Sequence, residues 1–301
     1  MIDFVDLMEG RSIGYFNSEM EQDKLWYSDQ WIIEPTHLGI RYQCRVEACN
    51  KLDFHGKKES YKQKDKLEQL ENIIKEIKSN NLPEQTLFEG YITFNNNKSE
   101  AYRFLKLDRL DNKIIDAAKF YITDLIYLNR KEIFELPLFD RKSLISKVFN
   151  DTENVKVQQF FSKNKKDVFE QFRKQNIDLF LFKDLAAKYR FKQSVYCKIY
   201  KVPKQYFMIV MGYVENKDKE DLKNMVVALE GGQLVNNKLI KIMNVPVHSN
   251  DSRINLYDNK EKIIGKVFEL LASEKNENDN KYQEARFIQM REDKKLEDCV
   301  F

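Results

Sequence analysis

The sequence is short of the residues that build metal and redox centres. Its four cysteines (Cys44, Cys49, Cys197, Cys299) include no CxxC pair, and there are only three histidines (His37, His55, His248). That supply argues against a Cys/His zinc site and suits a chain kept reduced inside a cell. No apolar stretch approaches the length of a membrane span, and Met1 to Gly10 has neither the basic start nor the apolar run of a secretion signal. A soluble, intracellular protein of cytoplasm, nucleoid or nucleus, with no membrane partner, is expected. Net charge is scarce too. Lys and Arg total 51 against 48 acidic residues, and the resulting +3 implies nucleic-acid binding only if the positive charge is gathered on one face. No internal repeat or long low-complexity tract occurs.

What is present suffices for a sizeable core. The 301 residues are 42% hydrophobic, and a chain of that length most naturally divides in two. Trp31 to Arg41 reads as a buried strand entering a tight turn built on Gly39. Ile40 to Val46 continues as a β-rich run, and Asn50 to Lys58, with Gly56 among polar residues, reads as the turn of a hairpin. Leu67, Leu70, Ile73, Ile74 and Ile77 recur at helical steps within Lys62 to Lys78. Thr86 to Phe94 and Phe120 to Leu128 read as strands, and Leu138 to Phe149 as a helix led in by Pro137. A helical pattern over Asn154 to Lys174 is broken by Lys163-Asn164-Lys165-Lys166, read as a solvated turn. Strands follow at Ile177 to Phe182 and Val195 to Tyr200.

Lys201-Val202-Pro203 then reads as a linker, giving domains 1–201 and 202–301. Beyond it lie short strands: Tyr206 to Val214, Met225 to Leu229, Leu234 to Ile242, Ile263 to Ala272 and Ala285 to Met290. Gly231-Gly232 reads as a turn and 274–280 as a mobile loop. About five short strands in roughly a hundred residues suggest a small oligonucleotide-binding (OB) barrel.

Glu34-Pro35-Thr36-His37-Leu38-Gly39-Ile40-Arg41 resembles the Glu-Pro-Lys-x-Asp-Gly-x-Arg stretch of ATP-dependent DNA ligases. Further segments are similar to that family in the same order. They are Leu82 to Gly90, Ile122 to Lys142, Asp178 to Lys183, Ser194 to Tyr200, Met208 to Val214 and the tail Arg286-Phe-Ile-Gln-Met-Arg-Glu-Asp-Lys294. The likeness spans nearly the whole chain and is strongest to the ligase module of bacterial end-joining enzymes. It implies an α+β fold: a nucleotidyltransferase domain (ATP-grasp-like, mixed antiparallel sheets with helices) followed by an OB-fold β-barrel.

The family's chemistry needs a lysine amine beside an ATP α-phosphate, divalent metal and a pocket gripping adenine. By the resemblance Thr36 stands where the nucleophilic lysine belongs and Leu38 where an Asp belongs. Lys24 and Lys51 lie outside the turn. Glu89 and Asp178 keep carboxylates, but Tyr91 replaces a Glu, Thr123 the base-stacking aromatic and Tyr200 the last lysine, while Phe54 falls near an expected Arg. Arg41, Lys183 and Lys198 survive as phosphate ligands, and Glu34 as a base contact. The expected pocket is thus degenerate, with no catalytic residue and no metal site, and with ATP and Mg as ligands only if it still binds them.

Three readings follow. In the first, a non-catalytic ligase-like protein embraces duplex DNA at nicks or ends, in repair or replication. Its phosphate contacts would come from Lys57, Lys58, Arg141, Lys142, Lys188, Arg190, Lys192, Arg286, Arg291 and Lys294, best of all the Lys188-Tyr-Arg-Phe-Lys192 alternation. In the second, the fold is a scaffold for a protein partner such as an active ligase or another repair or replication factor, favoured by 21 Phe and 15 Tyr. In the third, the chain is an active ligase with an unusual nucleophile.

Overall fold

The computed structural model describes residues 2–6, 8–12, 19–37, 39–56, 69–95, 98–107, 109–215, 223–275 and 281–299. Two compact units divide the chain at Tyr200/Lys201. The first unit begins with β1 (Glu9–Ser12), α1 (Glu19–Tyr27), β2 (Trp31–Thr36), β3 (Gly39–Val46), β4 (Leu52–Gly56), α2 (Glu71–Ser79) and β5 (Thr86–Phe94). It continues with α3 (Lys98–Lys106), α4 (Asn112–Ala117), β6 (Ala118–Leu128), β7 (Lys131–Glu132), α5 (Leu138–Val148), β8 (Val155–Val157), α6 (Lys165–Arg173), β9 (Leu179–Asp184) and β10 (Gln193–Lys201).

These strands form two sheets. One has the order β1-β10-β9-β2, the other β4-β3-β5-β6-β7 with β8 parallel to β6. Helices α2 to α5 cover one face of the second sheet, where Ile73, Ile77, Phe104, Ile114 and Ile145 meet Tyr42, Cys44, Phe88, Ile92, Phe120 and Ile122 in the main core. The opposite face carries Arg41, Gln43, Glu89 and Tyr91 at alternate positions, as a strand period of two requires.

The second unit contains β11 (Lys204–Glu215), β12 (Val226–Val235), β13 (Lys238–Pro246), α7 (Asn250–Asp258), α8 (Lys260–Ile263), β14 (Val267–Ala272), β15 (Glu274–Lys275), β16 (Tyr282–Gln283) and β17 (Arg286–Met290). Its main strands run β13-β12-β11-β14-β17, all antiparallel, with α7 between β13 and β14 in the chain. That is the order of a five-stranded OB barrel. Met208, Val210, Leu229, Val245, Phe268 and Leu270 fill it. Among the described residues, no helix is long and apolar enough to cross a membrane.

Several expectations are corrected. Gly56 ends β4 as a paired strand residue, and the turn before it is Ala48–Asn50, where Cys49 and Asn50 take positive φ. Residues 155–157 are a strand, because Glu76 accepts hydrogen bonds from the Asn154 and Val155 amides and holds the segment extended beside β6. Lys165 is buried, its ammonium donating to the carbonyls of Ser28 (2.7 Å), Trp31 (2.8 Å) and Ser162 (3.1 Å). Gly231 and Gly232 lie inside β12. The real turn is Asn236-Asn237, both with positive φ, and α7, capped by Ser249, was not foreseen. Of the expected 62–78 helix, 62–68 falls outside the described residues, as does 276–280 of the expected mobile loop.

Candidate functional site

Between the two sheets of the first unit lies a cavity of about 210 Å³. Thr36 of β2, Gly39 and Arg41 of β3, Glu89 and Tyr91 of β5, Thr123 of β6 and Lys183 of β9 line it, with His37 at the β2–β3 turn. Leu179, Leu181, Ile199, Cys197 and Met8 complete an apolar wall. Thr123 reaches the cavity because β6 bulges there: Glu89 pairs with Asp124 and Gly90 with Ile122, which leaves Thr123 as the extra residue.

The charges of the site are already spent on one another. Glu34 is fully buried, with its oxygens 2.6 Å from Lys142 Nζ and 2.8 Å from Lys183 Nζ, as two ion pairs. Burial alone would raise the Glu34 carboxyl, but Lys142 and Lys183 outweigh it and hold it below its ordinary value. Burial also opposes the Lys183 ammonium, yet Glu34 raises it above its ordinary value. Lys142 is the partner that yields, because burial lowers it more than Glu34 restores. Asp124 receives Arg141 through Nε (2.7 Å) and Nη2 (2.9 Å), and Arg41 Nη2 lies 3.1 Å from Glu89. Tyr189 Oη donates to Glu89 Oε2 at 2.7 Å.

Tyr91 fills the base of the cavity. Its ring stacks on Tyr121 (5.2 Å, 6°) and its hydroxyl donates to Gln158 Oε1 at 2.6 Å, while Gln158 Nε2 donates to Pro35 O. Burial pushes the Tyr91 hydroxyl far up, so it is neutral and no substitute for a carboxylate. The Thr36 hydroxyl turns back to Glu34 O at 3.3 Å. Burial, with Lys119, holds the His37 imidazole below its ordinary value, and burial takes the Cys197 thiol up to about 11. Gly39 is required by close approach: a Cβ there would lie 2.4 Å from Ile92 O and 2.8 Å from Tyr91 Cδ2. Gly39→Ala is therefore expected to cost about 1–3 kcal/mol, read as a lower urea midpoint at unchanged slope.

The structure brings Glu34, Thr36, Arg41, Glu89, Tyr91, Thr123 and Lys183 together, and it sends other expected residues elsewhere. Phe54 packs edge-on to Phe120 in the main core. Lys198 alternates with the cavity-lining Cys197 and Ile199, and Tyr200 shares its side of β10, packed edge-on against Trp26, Phe169 and Phe182. Asp178 sits just before β9, outside the lining set. Leu38, Lys57 and Lys58 lie outside the described residues.

Arg141 and Lys142, expected on the surface, are 1% and 3% exposed and point inward, because Asp124 and Glu34 need cations in a dry interior. Lys188, Arg190 and Lys192 are exposed, with Lys188 on Glu135 and Lys192 3.8 Å from Asp6. In the second unit Arg286 is half-buried, Arg291 pairs with Glu269 and Asp293, and Lys294 lies over Phe207. Asp124 and Tyr189 were missed. The lone carboxylate inside the apolar run Phe120 to Leu128 was the signal that a buried cation must face it.

No family description matches the sequence, and no curated protein matches it either. Solved structures do. The ligase domain of M. tuberculosis LigD is 15% identical, covers 98% of this chain and 97% of its own, and gives a TM-score of 0.51. A mycobacterial DNA ligase D complexed with ATP and MES is 14% identical over 98% of each chain, with a TM-score of 0.52. A Lig E DNA ligase, described as binding DNA with a minimal scaffold, is 12% identical, covers 97% of this chain and 100% of its own, and scores 0.51. The chain has the fold of ATP-dependent DNA ligases.

On the ligase fold, a divalent metal does not suit the residues present. Glu34, Asp124 and Glu89 each spend their oxygens on internal partners, and no group of three or more His, Cys, Asp or Glu able to hold a metal occurs among the described residues. The cavity is also smaller than the roughly 300 Å³ at which pockets for drug-sized ligands begin. Arg41 and Lys183 are the Lys or Arg side chains that line it among the described residues, and each is tied to a carboxylate.

Proposed function

We propose that the chain is a ligase-fold protein that binds duplex DNA, at nicks or ends, without forming an enzyme–adenylate. The observation that carries the loss of chemistry is the pairing of charges in and behind the cavity. Thr36 offers a hydroxyl where a lysine amine would act, and Glu34, Glu89 and Asp124 are neutralised from within, so these residues leave over neither a nucleophile nor a metal ligand.

The DNA half rests on the fold and on the surface beside Tyr189. There Lys188, Arg190 and Lys192 stand exposed around Phe191, itself 40% exposed, in the mix of cations and aromatic rings that suits a phosphate backbone. A role in repair or replication belongs to this reading. The second reading, a non-catalytic partner subunit, draws on Val195 and Tyr196, which are 52% and 40% exposed.

One experiment covers the alternatives. The protein is incubated with α-labelled ATP and magnesium or manganese and run on a denaturing gel, and in parallel its affinity for a nicked duplex is titrated against salt. No covalent label is expected, together with binding that weakens steeply as salt rises. Replacing Lys188, Arg190 and Lys192 by alanine is expected to flatten log K against log salt by about 0.9 for each phosphate no longer neutralised. A label abolished by mutating one lysine would make the chain an active ligase. Absent DNA binding at low salt, with a stoichiometric partner co-purifying, would favour the subunit.

A further inference from the structure

The segment before β1 has no regular secondary structure over residues 2–6, and side chains of neighbouring elements hold it in place. It runs antiparallel along the cavity-facing side of β3, and side chains rather than a strand ladder satisfy its main chain. Ile2 N–H donates to Gln85 Oε1 (2.8 Å), Val5 N–H to Gln43 Oε1 (3.1 Å) and Met8 N–H to Tyr189 Oη (2.9 Å). Arg45 Nη1 donates to Ile2 O (2.6 Å) and Arg41 Nη1 to Met8 O (2.8 Å). Phe4 is clamped between the His55 ring (4.8 Å, 19°) and the Arg45 guanidinium (4.5 Å). Met8 ends the run as part of the cavity wall.

Five side chains from β3, the Gln85 turn and the Tyr189 loop thus converge on peptide backbone. These bonds read the segment's main chain, not its side chains. We propose that this face is a binding groove for an extended peptide, occupied in cis by residues 2–6 and Met8, and that the segment is a detachable strap closing the cavity. Its ease of release follows from its bonding. Of its described residues only Met8 is buried, and no strand pairing must break for residues 2–6 to leave. Release would free Arg41 from Met8 O, leave Tyr189 Oη without the Met8 amide, and open the wall in front of Cys197. The strap does not depend on DNA binding, so either can fail without the other.

Cysteine labelling tests it. Cys197 is 3% exposed in the cavity, and Cys44 is buried on the opposite face of β3 in the main core, where it reports general loosening. The full chain and a Phe4→Ala/Met8→Ala variant are treated with N-ethylmaleimide, and modification at each cysteine is followed by peptide mass. The variant is expected to label Cys197 about tenfold faster while Cys44 stays protected, as a local opening requires. A synthetic peptide of residues 1–12 added in trans should return Cys197 towards the protected rate. Unchanged Cys197 labelling, joint labelling of Cys197 and Cys44, or no response to the peptide would each overturn the proposal.

Discussion

Replacing Glu34 by alanine is expected to cost about 3–5 kcal/mol of folding stability, measured by urea titration at neutral pH. The loss comes less from the interactions removed than from what stays behind. Lys142 and Lys183 would remain at 3% and 4% exposure without their ion-pair partner, and Lys183 opposes the charge on Lys142. Asp124, already paired with Arg141, is the remaining carboxylate that favours their charge. Lys142 can still donate to Thr123 O at 2.9 Å, whereas Lys183 loses the partner that raises it. Glu34→Gln keeps the shape and should lose nearly as much, since the charge is what is needed. Removing Lys183 in the Glu34→Ala background should return part of the loss, as a coupled pair requires. A loss below about 1 kcal/mol would mean that water screens the cluster, as it does at a surface pair.

The same group sets a pH dependence. Glu34 has a folded value below its ordinary 4.5, so its stabilisation is complete above that ordinary value and drains as pH falls through the folded one. Asp124, held down by Arg141 against the effect of burial, acts in the same direction below its ordinary 3.8. The urea midpoint of the natural chain should therefore fall on acidification, and that of Glu34→Gln should fall less. Equal slopes in the two proteins would show that Glu34 does not carry the effect.

Local pattern made much of the fold legible. Thr86 to Phe94 is read from sequence with the bounds it has in the structure, because a largely apolar run stands between Pro83 and the Asn95 turn. Gly231-Gly232 was misread because a glycine marks close approach as readily as a turn: a Cβ at Gly231 would meet Met208 Sδ at 2.4 Å. The Asn154 to Lys174 segment failed because its extended start depends on Glu76, some eighty residues earlier, and no local period encodes that.

Motif order located the cavity's Thr36, Glu89, Tyr91, Thr123 and Lys183 but could not give strand parity. Lys198 and Tyr200 fell on the far side of β10 because a shift of one residue turns every side chain over. Exposure was hardest to read. Basic residues close in sequence, from Arg141 to Lys192, carry no local mark of which are buried.

Arg141 against Lys188 is the sharpest test of that division. Arg141 is 1% exposed and gives Nε and Nη2 to Asp124 (2.7 and 2.9 Å), with Nη1 reaching Leu136 O (2.7 Å) and Ala187 O (3.2 Å). Arg141→Ala strands a fully buried carboxylate and takes a donor from Leu136 O, while Ala187 O keeps the Leu138 amide at 2.9 Å, and is expected to cost about 3–5 kcal/mol. Arg141→Lys cannot rebuild the two-pronged pairing and should recover little of it. Lys188 pairs with Glu135 at 2.7 Å, but both side chains are about half exposed, so Lys188→Ala should change stability by no more than roughly 0.5 kcal/mol. The DNA readout should invert: Lys188→Ala lowers the salt slope, while Arg141→Ala, measured on folded protein, leaves it unchanged because an inward guanidinium neutralises no phosphate. If Arg141→Ala instead folds with near-natural stability and loses salt-dependent affinity, Arg141 is a DNA contact and the inward assignment is wrong.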